Sequence, residues 1–281
     1  TDRWEARKSA TDNLQAYECV LLAQGYQQVL TVENHRNVVD CLTRTVETDP
    51  GYVDAWAWLS YVHYMGYSFG FTADPENLQL GLQAALEATR LDPTNQMARF
   101  AMTNSHFLRG EIDAFREQTE IAIALNPNNT DVTAVLAEYF TYGVDWDRGV
   151  ALMRKAMTLN PMHPGWYWYP IAKQHLVRGE LDEAITAARL INTPDDFFSY
   201  ATLAYIYATA GRQEEAEDAV ASALAVNPDA TVEAIAQFYT LWNFPPDYIR
   251  RYAIDGLRKA GLSEGNLESF LQPEEATDAE R

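Results

Sequence analysis

Four short strings recur along this 281-residue chain: Leu91-Asp92-Pro93, Leu125-Asn126-Pro127, Leu159-Asn160-Pro161 and Val226-Asn227-Pro228. The steps from Pro93 to Pro127 and from Pro127 to Pro161 are both 34 residues, and Pro161 to Pro228 is 67, one short of two steps, with Pro194 between. A fixed period of this length constrains the fold more than any other feature. Each period is one small unit that cannot bury its apolar side alone, so neighbouring units must stack. Pro50 lies 43 residues before Pro93, one period plus nine. The excess is readable as Tyr67–Glu76 (YSFGFTADPE), which carries Gly70, an Asp-Pro step and no helical stripe. It reads as an insert that lengthens one turn, with its rings folding back on the neighbouring helices.

Within a period the pattern is apolar stripe, glycine-containing turn, second stripe, proline. In the stretch ending at Pro228, Tyr200, Leu203, Ala204 and Tyr207 recur at helical spacing. Gly211 supplies a left-handed residue after the first helix. Ala216, Val220, Ala223 and Leu224 form the second stripe, and Pro228 blocks its continuation. The unit is a helical hairpin. Small residues at Ala137, Gly149, Ala184, Ala204 and Ala216 let helix backbones approach closely while the large ones fill the gaps.

The order of large residue, Leu-Ala, aromatic, Gly, Ala and Pro resembles the tetratricopeptide repeat. It is carried by Tyr200, Leu203, Ala204, Tyr207, Gly211, Ala216, Ala223 and Pro228, and again by Leu136, Ala137, Phe140, Trp146, Gly149, Ala156 and Pro161. The hairpin from Val53 keeps Trp56, Leu59, Ser60, His63, Ala88 and Pro93; the one from Gln96 departs most, with Met102, Thr103, His106 and Phe115. The resemblance implies an all-α, right-handed α-solenoid of stacked antiparallel hairpins. The expected organisation is a lead-in over residues 1–12, about six hairpins over 13–230 with the insert at 67–76, capping helices over 231–262, and an acidic, disordered tail over 263–281. In the cap, one helix is expected from about Ala230 to Leu241 and another from about Pro246 to Ala260, separated by Pro245-Pro246.

A narrower likeness joins DNLQAYECVLLA near the start, AMTLNPMHPGWYWYP in the middle and GLRKAGLSEG near the end. These strings resemble the C-terminal repeat region of bacterial regulators, where such a region follows an adenylate cyclase or winged-helix domain. That resemblance implies a module that regulates an attached effector domain.

Charge narrows the partner. Against 21 basic residues there are 40 acidic ones, a formal net charge of -19. Phosphate backbones would be repelled, so no nucleic acid is expected. No apolar run approaches the roughly 18 residues of a membrane span. The expected setting is a bacterial soluble module, cytoplasmic or periplasmic, with a membrane-anchored parent left open. Two cysteines, Cys19 and Cys41, lack metal-ligand spacing; buried thiols and a disulfide both remain open readings. No phosphate loop, nucleophile elbow or metal motif occurs, so the chain reads as non-catalytic, with no cofactor and no metal.

Two sets of residues stand out. His63, His106 and His175 occupy the same place in three hairpins, where tyrosine is usual, and are the candidates for pH sensing. The second set lies on the inner face of the first helices: Tyr61, Tyr64 and Met65; Phe100, Asn104 and Phe107; Glu138 and Tyr142; Trp166, Tyr169 and Lys173; Phe198 and Tyr205. This wall is expected to be an exposed, aromatic groove that binds a peptide or partner protein. A small ligand in the same groove is the alternative, and self-association, or the groove filled by the chain's own tail, is a further one. The family's lysine-asparagine-arginine clamp for a peptide carboxylate is mostly missing, since its places hold Ala57, Phe100, Ala134, Tyr169 and Ala201. In the run Trp166-Tyr167-Trp168-Tyr169-Pro170, Trp168 is expected in the core and Trp166 and Tyr169 toward the groove. Pro170 predicts an irregular first turn.

Overall fold

The structure, a computed structural model, describes residues 14–26, 31–72 and 76–267, all helices and connections with no strand among them. The expected lead-in and the tail beyond residue 267 lie outside the described residues. The chain divides into two compact units, residues 1–132 and 133–281.

In the first unit, α1 (helical over 14–24) is followed by α2 (Val32–Thr48), α3 (Val53–Ser68), α4 (Glu76–Leu91), α5 (Gln96–Leu108) and α6 (Ile112–Leu125). Helix α3 packs on α4 and α5 packs on α6, and α3 also packs on α5, which is the stacked-hairpin arrangement. Its core is built from small residues: Ala57, Ala85, Ala88, Ala98 and Ala101 cluster around Met102. With so little side chain between them, the helix axes come close and each ring has a defined slot.

The recurring proline strings act as the sequence suggests. Helices α4 and α6 stop at Leu91 and Leu125, and the following Asp92 or Asn126 takes a non-helical conformation. Asn95 then caps α5 by accepting from the Ala98 N–H at 3.0 Å, and Asn129 accepts from the Val132 N–H at 3.1 Å. Gln96 ties the successive turns together, donating to the carbonyls of Ala122 and Asn126 at 2.9 and 3.0 Å.

Helix α7 (Thr130–Tyr139) crosses the division between the units and runs into a π-helical turn, Phe140–Val144, in which Gly143 has φ +94°. The second unit continues with α8 (Trp146–Leu159), a 3₁₀ turn (Gly165–Tyr167), α9 (Trp168–Arg178), α10 (Leu181–Arg189), α11 (Phe197–Thr209) and α12 (Gln213–Val226). Gly149 sits where an added Cβ would come within 2.7 Å of the Ala137 carbonyl and 2.5 Å of Thr141, so α8 needs a glycine to reach α7. The 3₁₀ turn before α9 is the irregular first turn expected from Pro170. It buries Tyr167 completely, while Trp166 and Trp168 stay half-exposed. Trp168 therefore is less enclosed than its repeat position suggests, because the turn moves the burial to its neighbour.

Beyond Pro228 the chain forms α13 (Val232–Leu241), then α14 (Pro246–Tyr248), a π-helical stretch (Ile249–Ile254) and α15 (Asp255–Lys259). The two expected helices are present, the second interrupted by the π stretch.

Cys19 on α1 and Cys41 on α2 form a disulfide with Cα atoms 5.5 Å apart. This decides between the two readings of the cysteines, which spacing alone left open. The inner side of α1 is otherwise held by Ala16, Val20 and Ala23, all small or medium side chains. Closing a loop of this length contributes about 3 kcal/mol by restricting the unfolded chain. Among the described residues, no helix is long and apolar enough to cross a membrane.

Candidate functional site

The residues expected to line an inner face do not form an open wall in either unit. Tyr61, Tyr64, Met65, Phe100, Asn104 and Phe107 in the first unit are all buried. In the second, Tyr142, Tyr169, Lys173 and Tyr205 are buried, while Glu138, Trp166 and Phe198 keep partial exposure. The expected exposed groove is thus corrected: most of its rings are core. The reason is ring-on-ring packing. Tyr61 lies 5.5 Å from Phe100, and Phe107 lies 5.3 Å from Phe115. The Tyr64 hydroxyl donates to Ser105 at 2.6 Å, and its burial raises its pKa to about 12. Rings of this size gain more from one another than from water.

The second unit contains the densest arrangement. Lys173, on α9, is only 4% exposed. Its ammonium faces four rings, Phe244 at 4.8 Å, Tyr169 at 5.1 Å, Tyr142 at 5.4 Å and Tyr239 at 5.5 Å from the centroids. Attraction to ring faces is strongest where water is excluded. Two carboxylates act on the same charge, Glu138 from α7 and Asp196 from the start of α11. Tyr142 hydrogen-bonds Glu138, and Tyr169 donates to Asp196 at 2.8 Å. Burial lowers the Lys173 pKa to about 8, opposed by these two carboxylates. The same burial raises Glu138 and Asp196 above the usual carboxylate range, although both side chains retain some surface. Burial also raises Tyr142, Tyr169 and Tyr239, so these phenols stay protonated and can donate. Beside the cage, the hydroxyls of Tyr205, Tyr239 and Tyr248 form a second cluster, Tyr205 lying 3.3 Å from Tyr239 and 3.2 Å from Tyr248.

Lys173 and Glu138 are among the inner-face residues legible in the sequence. Tyr239, Phe244 and Tyr248 are not, because they come from the segment read only as a cap. The signal was available: Tyr239 lies 34 residues after Tyr205, one period on.

The three histidines have different settings. His106 meets Glu111 at 2.7 Å and His175 meets Glu180 at 2.5 Å, each across a turn with a left-handed glycine, Gly110 or Gly179. These pairs brace hairpin turns. His63 is buried, bonds Asn77 at 3.0 Å, and has its pKa lowered by burial. His35, which sequence reasoning passed over, is buried as well. It lies 3.0 Å from the Tyr26 hydroxyl and against Gly66, and burial, with His63 nearby, lowers its pKa too.

A separate cleft of about 380 Å³ opens in the second unit between α8, α9 and α10. Trp168, Ile171, Ala187 and Leu190 form its apolar surface, and Arg154, His175, Asp182 and Glu183 its polar rim.

No family model and no curated protein matches the chain. Solved structures do. A human IFIT1 dimer with m7Gppp-AAAA aligns over 92% of this chain and 61% of its own, at 16% identity and a TM-score of 0.65. Cut9, in the APC/C hetero-tetramer Cut9-Hcn1, aligns over 80% of this chain at 15% identity and a TM-score of 0.62, and this chain spans only 42% of it. A tetratricopeptide repeat protein from Parabacteroides merdae aligns over 88% of this chain and 93% of its own, at 14% identity and a TM-score of 0.53. At such identities the likeness speaks for architecture. The fold is the all-α stack of antiparallel hairpins found in tetratricopeptide-repeat proteins.

Proposed function

We propose that the chain is a non-catalytic interaction module whose inner helix faces bind a peptide or a partner protein. The observation that carries this reading is the set of rings left half-exposed beside buried inner-face ones: Trp58, edge-on to Tyr61 at 5.7 Å, in the first unit, and Trp166 and Phe198 in the second. Large rings half-exposed beside a buried aromatic neighbour are what a binding surface uses as anchors. Cut9 occurs with a protein partner and IFIT1 with a capped RNA. The net charge of -19 favours the protein over the RNA. The narrower likeness to the repeat regions of regulators, and an attached effector domain with it, stands on sequence strings alone.

The test is affinity capture with the full chain and with Trp58→Ala, Trp166→Ala and Phe198→Ala combined. These side chains are half-exposed, so the helical circular dichroism should survive while capture falls at least tenfold. Undiminished capture by the triple variant would remove the reading.

A small-ligand reading rests on the cleft lined by Trp168 and Leu190, whose volume falls in the range of small-molecule sites. Thr186→Trp would fill it. A thermal shift by a metabolite library that survives this substitution would dismiss the cleft.

A further inference from the structure

In a stack of repeats each unit normally touches only its neighbours. The segment after α13 breaks that rule. Asn243, with φ +55°, turns the chain back, and the residues that follow lie against Tyr142 and its surroundings, about a hundred positions earlier in the sequence with the two hairpins α9–α10 and α11–α12 between. Phe244 packs 4.4 Å from Tyr142 and 4.8 Å from the Lys173 ammonium. Trp242 packs on Tyr139 and Tyr142 at 5.7 and 5.8 Å. Tyr248 stacks on Trp146 at 6.1 Å. Pro245 sits over the π-helical turn, where a Cβ on Gly143 would fall 2.3 Å from its Cγ. The segment therefore behaves as a peptide laid on the inner face: a tryptophan, a phenylalanine at the centre, two prolines and a tyrosine.

We propose that Trp242–Tyr248 is an internal ligand of the second unit's inner face, and that an external partner reaches this face by supplying an aromatic-proline segment that displaces it. The proposal rests on the reading of the chain as an interaction module and adds the chemistry of the partner and the way access is controlled. A phenylalanine followed by proline suits the place for three reasons. The ring meets the Lys173 charge, the proline fits the glycine of the π turn, and the fixed proline geometry lowers the ordering cost of binding.

The probe is a fluorescein-labelled peptide of residues 239–249, YTLWNFPPDYI, titrated with the full chain and read by anisotropy. The wild type, its face occupied, should bind weakly. Gly143→Ala pushes against Pro245 and strains the left-handed turn without substituting any residue of the Lys173 cage, and should bind the peptide at least tenfold more tightly. Pro245→Gly releases the segment without a clash and should do the same, which covers a misfolded Gly143→Ala. A peptide with the Phe244 equivalent replaced by alanine should lose the gain. Hydrogen exchange on the same variants should show residues 242–248 losing protection before α11 does. Release of the segment by exchange with no gain in peptide binding would overturn the proposal, and so would equal binding of the alanine peptide. A gain in peptide affinity without partner capture would instead defeat the interaction reading, and capture without the gain would defeat only the internal ligand.

Discussion

Replacing Lys173 by methionine is the sharpest perturbation the cage offers. Methionine keeps the length and volume of the side chain and removes the charge. Two effects compete. The lysine pKa of about 8, against 10.5 for a free lysine, means that the buried ammonium costs about 3 kcal/mol relative to the neutral amine at neutral pH. Methionine escapes that cost. It also gives up attraction to four rings and leaves Glu138 and Asp196 without their cation, and removing one partner of a buried charge group typically costs about 3–5 kcal/mol. The second effect is the larger of the two. Lys173→Met should therefore lower the urea-unfolding free energy by no more than about 2 kcal/mol, the difference between the two effects. Glu138→Gln combined with Lys173→Met should recover part of this, because less charge is stranded.

The pH dependence gives an independent check. Glu138 and Asp196 already have raised pKa values, and without Lys173 they rise further. A carboxyl raised in the folded state contributes stability at low pH that is lost as pH rises through the shifted range. The deficit of Lys173→Met should then be smaller at pH 5 than at pH 7. For the wild type, the lysine is protonated more readily in the unfolded chain, so its contribution to stability grows between pH 8 and about 10. Above that range, the raised tyrosines reverse the trend as the unfolded chain loses its phenolic protons. A variant more stable than the wild type at pH 7, or with the same deficit at pH 5 and 7, would refute the view that Lys173 holds the cage together.

Cys19→Ser with Cys41→Ser should cost about 3 kcal/mol, and hydrogen exchange should show α1 opening first, since its remaining buried side chains are few. His35 and His63 are held neutral by burial; the unfolded chain binds more protons below about pH 6.5, so stability should fall on acidification. A melting temperature flat between pH 7 and 5 would contradict this. Phe107→Ala should destabilise by about 3–5 kcal/mol, measured by denaturant titration, because the ring is fully buried against Phe115. Alanine at Tyr61, Phe107 and Tyr169 together would for the same reason unfold the chain before it reported on binding.

The hairpins themselves are legible in the sequence. Glycines at 110, 179 and 211 mark left-handed ends, asparagines at 95 and 129 mark caps, and the proline strings mark stops. These are local effects, decided within one turn of helix. The residues expected on the inner faces were also readable from the repeat. Their exposure was not, because a repeat pattern says which way a side chain points and not what comes to meet it. Tyr142 and Lys173 pack against Phe244 and Tyr239, residues 66 to 102 positions later, and no local rule brings these together. The same holds for Cys19 and Cys41, whose spacing allowed pairing without requiring it.

The period alone thus determined that paired helices must stack, because a lone hairpin cannot hide its apolar faces from water. Tertiary structure decided what the stack encloses: a caged lysine, two partly exposed carboxylates and a returning aromatic segment. Burial and charge pairing depend on distances between distant parts of the chain, and those distances are set by packing as a whole.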